Sequence, residues 1–206
     1  MMDEYISVNL GKALKTEGVG ENRIQSVLSN FSCPHNPDVE NFLKNKAIEF
    51  SKHRWAQTHL VFTLYKGKNV LIGYYALAIN NIVIDQNALS KNMRKRLKEF
   101  TSFGSNTKDY LIPMPLIAQL GKNFTNGYNE LITGDELLKK ALDQVRKIQT
   151  ISSGQFTYLE CENIQALLDF YSRNGFMKSG ERMLDRDETD VLKGSRLIQM
   201  VKFMKA

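Results

Sequence analysis

Between Ile112 and Glu162 the hydrophobic period changes twice, and this constrains the fold more than any other feature of the chain. "IPMPLIAQLGKNF" reads as a strand, broken at one end by Pro113 and Pro115 and opened at the other by Gly121. "TGDELLKKALDQVRKI" then places Leu137, Leu138, Ala141, Leu142, Val145 and Ile148 at helical spacing, and "QFTYLECE" returns to strand composition. A strand, a helix and a strand in succession form a crossover, which joins parallel neighbours in one sheet.

The flanking segments fit around that unit. "HNPDVENFLKNKAIEF" starts a helix with Asn36 as cap, Pro37 in the first turn and Asp38 and Glu40 at the positive end. Val39, Phe42, Leu43, Ala47 and Phe50 make its apolar face. "THLVFTLY" and "NVLIGYYALAI" flank the turn "KGKN" as a hairpin, and Gly73 marks a bulge. "SKNMRKRLKEF" is a basic helix; "NIQALLDFYSRN" is a helix stopped by Gly175; "FMKSGERM" and "RLIQMVKFM" are strands. A first strand placed in "SVLSNFS" completes an α/β chain with a mixed central sheet. Length favours a single domain over residues 1–206, with an N-terminal extension at about 1–22.

Composition excludes several classes. The 42% hydrophobic and 24% charged content is that of a globular chain. "VLIGYYALAI" is too short to span a bilayer, and "MMDEYISVNLGKAL" carries acids where a signal peptide needs basic residues, which reads as cytoplasmic with no membrane partner. Cys33 and Cys161 stand far apart, and His35 near Cys33 does not make a ligand set, so neither a disulfide framework nor a metal site is expected. The net charge of +6 permits a polyanionic partner without requiring one.

Three pieces carry candidate chemistry. In "NELITGDELL", Thr133 and Glu136 form a capping box. The helix start after an apolar strand offers free backbone N–H groups to a pyrophosphate, although Asp135 and Glu136 compete for the same dipole and a lone T-x-x-E is by itself only a well-capped helix. The irregular strand before it leaves backbone groups free to bond elsewhere. In the third piece Ile164, Leu167, Leu168 and Tyr171 fall at i, i+3, i+4 and i+7, which on pattern alone makes Tyr171 core.

Taken in order, these pieces resemble the GNAT superfamily of acetyl-CoA-dependent N-acetyltransferases from about Phe31 to Phe203. In that family a strand, here "PLIAQLGKN", leads into a pyrophosphate loop of pattern Q/R-x-x-G-x-G/A followed by two leucines. The corresponding residues are Asn129, Ile132, Gly134, Leu137 and Leu138. The family's F-Y-x-x-x-G-F helix end is present as Phe170, Tyr171, Gly175 and Phe176, and "FSCPHNPDVENFL", "GYYALA" and "IPMPLIAQL" are similar to the branch that includes toxin-type acetyltransferases. One departure stands out: Ile132 replaces a glycine, and a β-branched residue does not reach positive φ cheaply, so the loop takes another path or binds CoA less tightly.

The resemblance implies a splayed cleft holding acetyl-CoA as co-substrate, with no metal. Leu120 and Lys122 on the strand, and Asn129, Ile132, Thr133, Gly134 and Asp135 in the loop, would contact it. A backbone N–H of the strand would stabilise the oxyanion, and Tyr171 would protonate the leaving thiolate. The general base is not identifiable. Gln119 cannot serve; Glu160 and Glu162 are the nearest carboxylates but read as solvated surface, as do His53 and His59. The acceptor is an amine of a small molecule or protein, or the α-amine of aminoacyl-tRNA, as in toxin-type relatives. Roughly one α-amine in seven is neutral at pH 7, against roughly one lysine in 2,500, so an α-amine needs a base least. The run Lys91 to Lys98 is either a solvated helix face or a track for tRNA, "DRDETD" (Asp185, Asp187, Glu188, Asp190) is an exposed loop, and a homodimer is compatible with all of this. The alternative of another class is a CoA-binding regulatory module without catalysis, which Ile132 favours.

Overall fold

A computed structural model describes residues 5–85, 91–98, 109–184 and 196–204. The acidic loop expected at Asp185–Asp190 lies outside the described residues. The elements run β1 (Tyr5–Asn9), α1 (Leu10–Ala13), α2 (Glu21–Ser29), α3 (Pro37–Asn41), α4 (Ala47–His53), β2 (Gln57–Tyr65), β3 (Lys68–Asp85), α5 (Lys91–Lys98), β4 (Asp109–Lys122), α6 (Gly134–Ser152), β5 (Phe156–Glu162), α7 (Gln165–Arg173), β6 (Met177–Met183) and β7 (Arg196–Phe203). The seven strands form one mixed sheet in the order β1-β2-β3-β4-β5-β7-β6. The strand–helix–strand succession β4–α6–β5 predicted from the period changes is present, with β4 and β5 as neighbours. Two compact units share the chain: residues 1–78 with 117–143, and residues 79–116 with 144–206.

In the first unit, β1 pairs antiparallel with β2 from Tyr5↔Thr63 to Asn9↔His59. Residues 5–13, read from sequence as part of an extension, thus carry a strand of the sheet and one helical turn, capped where Asn9 Oδ1 accepts from the Lys12 amide at 2.9 Å. The strand expected in "SVLSNFS" is instead the end of helix α2. The reason is the spacing of its apolar residues: Ile24 and Leu28, four apart, are both buried, while Val27 between them is exposed.

Helix α3 starts as predicted, with Asn36 Oδ1 accepting from the Val39 amide at 3.1 Å and Pro37 in the first turn. It continues through a π-helical turn, Phe42–Lys46, into α4. Val39, Leu43 and Ala47 are spaced by four, a pattern that drifts about 80° off one face of a regular α-helix over its two steps. The wider π turn takes up that drift, and all three side chains stay buried.

The hairpin turn is tighter than the four residues expected. β2 ends at Tyr65 and β3 begins at Lys68, leaving Lys66 and Gly67 with φ of 49° and 75° as a two-residue loop whose hand matches the strand twist. The bulge predicted at Gly73 is present: Val61 pairs with Gly73 and Phe62 with Leu71, so Ile72 is the extra residue. Its carbonyl accepts from the Asn123 amide at 2.8 Å. Asn123, buried at the end of β4, also donates from Nδ2 to the Leu71 carbonyl (2.8 Å) and accepts at Oδ1 from the Ser32 and Thr125 amides (3.0 and 3.1 Å). One asparagine thereby ties the bulge, the end of β4 and the approach to α3 together.

The second unit has its own core of Ile82, Ile84, Leu97, Ile112, Met114, Phe156, Tyr158 and Val201. Its strand β7 pairs antiparallel with both β5 and β6. Thr157, fully buried, donates its hydroxyl to the Pro115 carbonyl at 2.8 Å, one of the backbone acceptors in the proline-marked stretch of β4.

Candidate functional site

The strand that the sequence marks out, Pro115 to Asn123, is held from above by α3. A Cβ on Gly121 would sit 2.3 Å from Val39 Cγ1, so the side chain that approaches this glycine is valine, not a ligand. On the neighbouring strand a Cβ on Gly73 would meet the Gly121 carbonyl at 2.8 Å. Tyr74, fully buried, donates its hydroxyl to the Val39 carbonyl at 2.6 Å. These contacts fix the first turn of α3 over β4 and bring Asp38 to Gln119, whose Nε2 donates to Asp38 Oδ2 at 2.8 Å. The sequence offers Asp38 only as a helix-start acid, because its partner lies 81 residues away.

Around the start of α6 the structure gathers most of the residues assigned to acetyl-CoA. Leu120 is half-buried on β4, and Lys122 reaches the Asn129 carbonyl at 2.9 Å. Asn129 lies in a 3-10 segment, Thr125–Leu131, whose positive φ values fall at Asn126 and Gly127. Ile132 is buried and extended, with φ −148°, so the loop takes a path that needs no glycine there. Thr133 and Glu136 close the predicted capping box in full: Glu136 Oε2 accepts from the Thr133 amide (2.8 Å) and hydroxyl (2.7 Å), and the Glu136 amide donates back to the threonine Oγ1 (3.2 Å).

That box changes what the helix start can hold. Hydrogen bonds from the Thr133 hydroxyl and then its amide keep the Glu136 carboxyl below the ordinary value, so it stays charged. Gly134 opens the helix and Asp135 is exposed beside it. The Thr133 amide is already taken, and a fixed negative charge stands where a diphosphate would add two more. Tyr5 of β1, a residue without a sequence signal for this role, donates its hydroxyl to the Leu131 carbonyl at 3.1 Å and to Glu136 Oε1 at 3.3 Å.

In the second unit, F-Y-x-x-x-G-F is a helix stop with a hydrophobic clasp. The Gly175 amide donates to the Ser172 carbonyl (2.9 Å) and the Phe176 amide to the Tyr171 carbonyl (3.0 Å), with Gly175 at φ 82°. Phe176 packs edge-on against Tyr171, with ring centroids 5.8 Å apart, and Lys202 donates to the Asn174 carbonyl at the same helix end. Glycine is needed for the left-handed turn, and the two aromatic rings close it. Tyr171 is buried, and burial, with Cys161 nearby adding a little, pushes its phenol well above the usual tyrosine range.

The carboxylates considered as a base divide. Glu160 is engaged twice, by Arg182 Nε at 2.5 Å and Gln199 Nε2 at 3.0 Å, while Glu162 follows on the same strand without such ties among the described residues. His53 stacks on Trp55 and His59 on Tyr75, with centroids 4.7 and 4.9 Å apart, and the Asn9 amide group lies 3.4 Å from His59 Nε2. Among the described residues there is no group of three or more His, Cys, Asp or Glu suited to a metal ion, and no helix long and apolar enough to cross a membrane.

No family model and no curated protein matches the chain. Solved structures do. A tyrosine-to-phenylalanine mutant of KacT is similar over 96% of this chain and 94% of its own, with TM-score 0.59 and 15% identity. AtaT complexed with acetyl-methionyl-tRNAfMet is similar over 94% and 93% (0.58, 16%), and AtaTR bound with acetyl-CoA over 96% and 93% (0.54, 15%). KacT and AtaT are toxin acetyltransferases of the GNAT fold, and at this identity what the chain shares with them is the fold.

Proposed function

We propose that the chain is an acetyl-CoA-dependent N-acetyltransferase whose acceptor is the α-amine of aminoacyl-tRNA. The observation that carries the reading is fold similarity along nearly the whole chain to AtaT complexed with acetyl-methionyl-tRNAfMet, with F-Y-x-x-x-G-F built around Tyr171. The neutral amine attacks the thioester carbonyl; the C–N bond forms, the C–S bond breaks, and the sulfur takes a proton. Tyr171 is assigned that last step by the F-Y-x-x-x-G-F pattern: its phenol carries a proton at neutral pH, and because burial makes it a weaker acid, the donation depends on a thiolate forming beside it. An α-amine fits a protein in which Glu160 is tied to Arg182 and Gln199. Exposed Lys91, Lys95 and Arg96 on α5 fit a phosphate backbone. Acetyl-CoA would be held by Leu120 and Lys122 with residues Asn129, Thr133, Gly134 and Asp135, Ile132 serving as buried support.

The reading is tested by calorimetric titration of acetyl-CoA, followed by acetyl transfer to charged tRNA in wild type and in Tyr171→Phe. Binding, transfer, and a loss of about 10²-fold or more in turnover with melting temperature and acetyl-CoA affinity nearly unchanged are expected. Binding without transfer to any amine would instead support the regulatory module.

A further inference from the structure

We propose that Asp38 is the acceptor-recognising residue: its carboxylate, held on β4 by Gln119, receives the N–H of the acceptor's amine. This rests on the acetyl-transfer reading and supplies the group that reading lacks. Asp38 is half-buried in the first turn of α3, and the turn is fixed independently of it by Val39 against Gly121 and by the Tyr74 hydroxyl on the Val39 carbonyl. The carboxylate is therefore positioned by the fold and not needed as its anchor.

Its charge also has no paired cation among the described residues. Two residues on, Glu40 is paired with Lys44 and accepts from the Cys33 amide at 2.7 Å, whereas among the described residues no lysine or arginine pairs with Asp38. Its bond comes from a neutral amide and occupies Oδ2, and a carboxylate has capacity for further donors. The interior feels this charge: burial first, then Asp38, pushes the Tyr74 phenol well up. A half-buried carboxylate held by a neutral donor is suited to a cationic or N–H-bearing ligand. Its location, beside the strand segment that precedes the α6 loop, matches a reaction in which an amine must be brought to a thioester.

The chemistry follows without a further reagent. As the nitrogen lone pair adds to the thioester carbonyl, the nitrogen becomes positively charged, and a carboxylate accepting its N–H stabilises that charge where it develops. The nitrogen then loses one proton, the sulfur gains one, and the products are an amide and free CoA thiol.

Asp38→Asn tests this because asparagine keeps an oxygen for Gln119 and removes only the charge. With acetyl-CoA and methionyl-tRNA, and separately with methionine methyl ester as a small α-amine, kcat/KM should fall about 10²-fold. Acetyl-CoA affinity and melting temperature should stay at wild-type values, and Asp38→Glu should recover part of the loss. Wild type should also bind methionine methyl ester in preference to the same ester lacking the amino group, and Asp38→Asn should lose that preference. Activity within threefold of wild type overturns the inference while leaving acetyl transfer intact; so does a variant that loses stability or acetyl-CoA binding in step with activity. A wild-type protein that transfers acetyl to neither amine overturns the acetyl-transfer reading, and this inference with it.

Discussion

Replacing Gly121 with alanine probes the contact on which the α3–β4 arrangement depends. The new methyl would lie 2.3 Å from Val39 Cγ1, 3.4 Å from Phe31 Cζ and 3.5 Å from Tyr74 Cε1, so only the valine clashes severely. Val39 has little freedom to yield. It is β-branched and helical, which leaves one strongly preferred rotamer, and an off-rotamer escape costs about 0.5–1.5 kcal/mol. Moving the backbone instead strains the Tyr74–Val39 hydrogen bond and the Asn36 cap. Overpacking of this kind costs about 1–3 kcal/mol, and at about 2–4 °C per kcal/mol for a chain of this size the melting temperature should fall by about 4–8 °C for a loss of 2 kcal/mol. Thermal unfolding of Gly121→Ala, Val39→Ala and the double variant measures it. Because the second change removes the clashing methyl, the double variant should be more stable than the sum predicts by about 1 kcal/mol or more. Strict additivity, or a Gly121→Ala protein that melts within a degree of wild type, would refute the reasoning.

Two further outcomes concern the α6 loop. The Glu136 carboxyl is lowered in the folded protein, so its contribution is fully present above the ordinary glutamate value of about 4.3 and is lost as pH falls through the lowered one. Glu136→Ala should therefore lower the melting temperature by about 2 °C at pH 7 and by less at pH 3, and an equal loss at both would contradict the assignment. Glu136→Gln keeps the capping geometry without the charge and should tighten acetyl-CoA about fivefold, which calorimetry reads directly. Ile132→Gly, which restores the glycine of the related loop pattern, should cost about 3–5 kcal/mol because Ile132 is buried, and should not tighten acetyl-CoA; tighter binding would mean that the loop adopts the glycine path after all.

How far the chain could be read without coordinates depended on how local each feature is. Helix α6 was legible because Leu137, Leu138, Ala141 and Val145 carry its buried face within nine residues, and the β2–β3 hairpin because its turn and bulge each have a glycine. F-Y-x-x-x-G-F was legible for a related reason: its carbonyls, amides, glycine and aromatic rings close on one another within seven residues, so the motif encodes its own geometry. β1 was missed although Ile6 and Val8 alternate, because a five-residue edge strand gains its stability from pairing with β2 (Tyr5↔Thr63 to Asn9↔His59), which lies far along the chain. Ile132 was noticed as a departure, but a pattern written around glycine shows that the loop must differ without showing the extended path it takes. Asp38 was hidden in another way. As an acid following Asn36-Pro37 it already had a sufficient explanation in the helix dipole, and nothing near it in the sequence asked for a second one. Only the long-range bond to Gln119 and the pairing of neighbouring Glu40 with Lys44 separate the two acids of that turn: one neutralised within the fold, the other placed with capacity to spare.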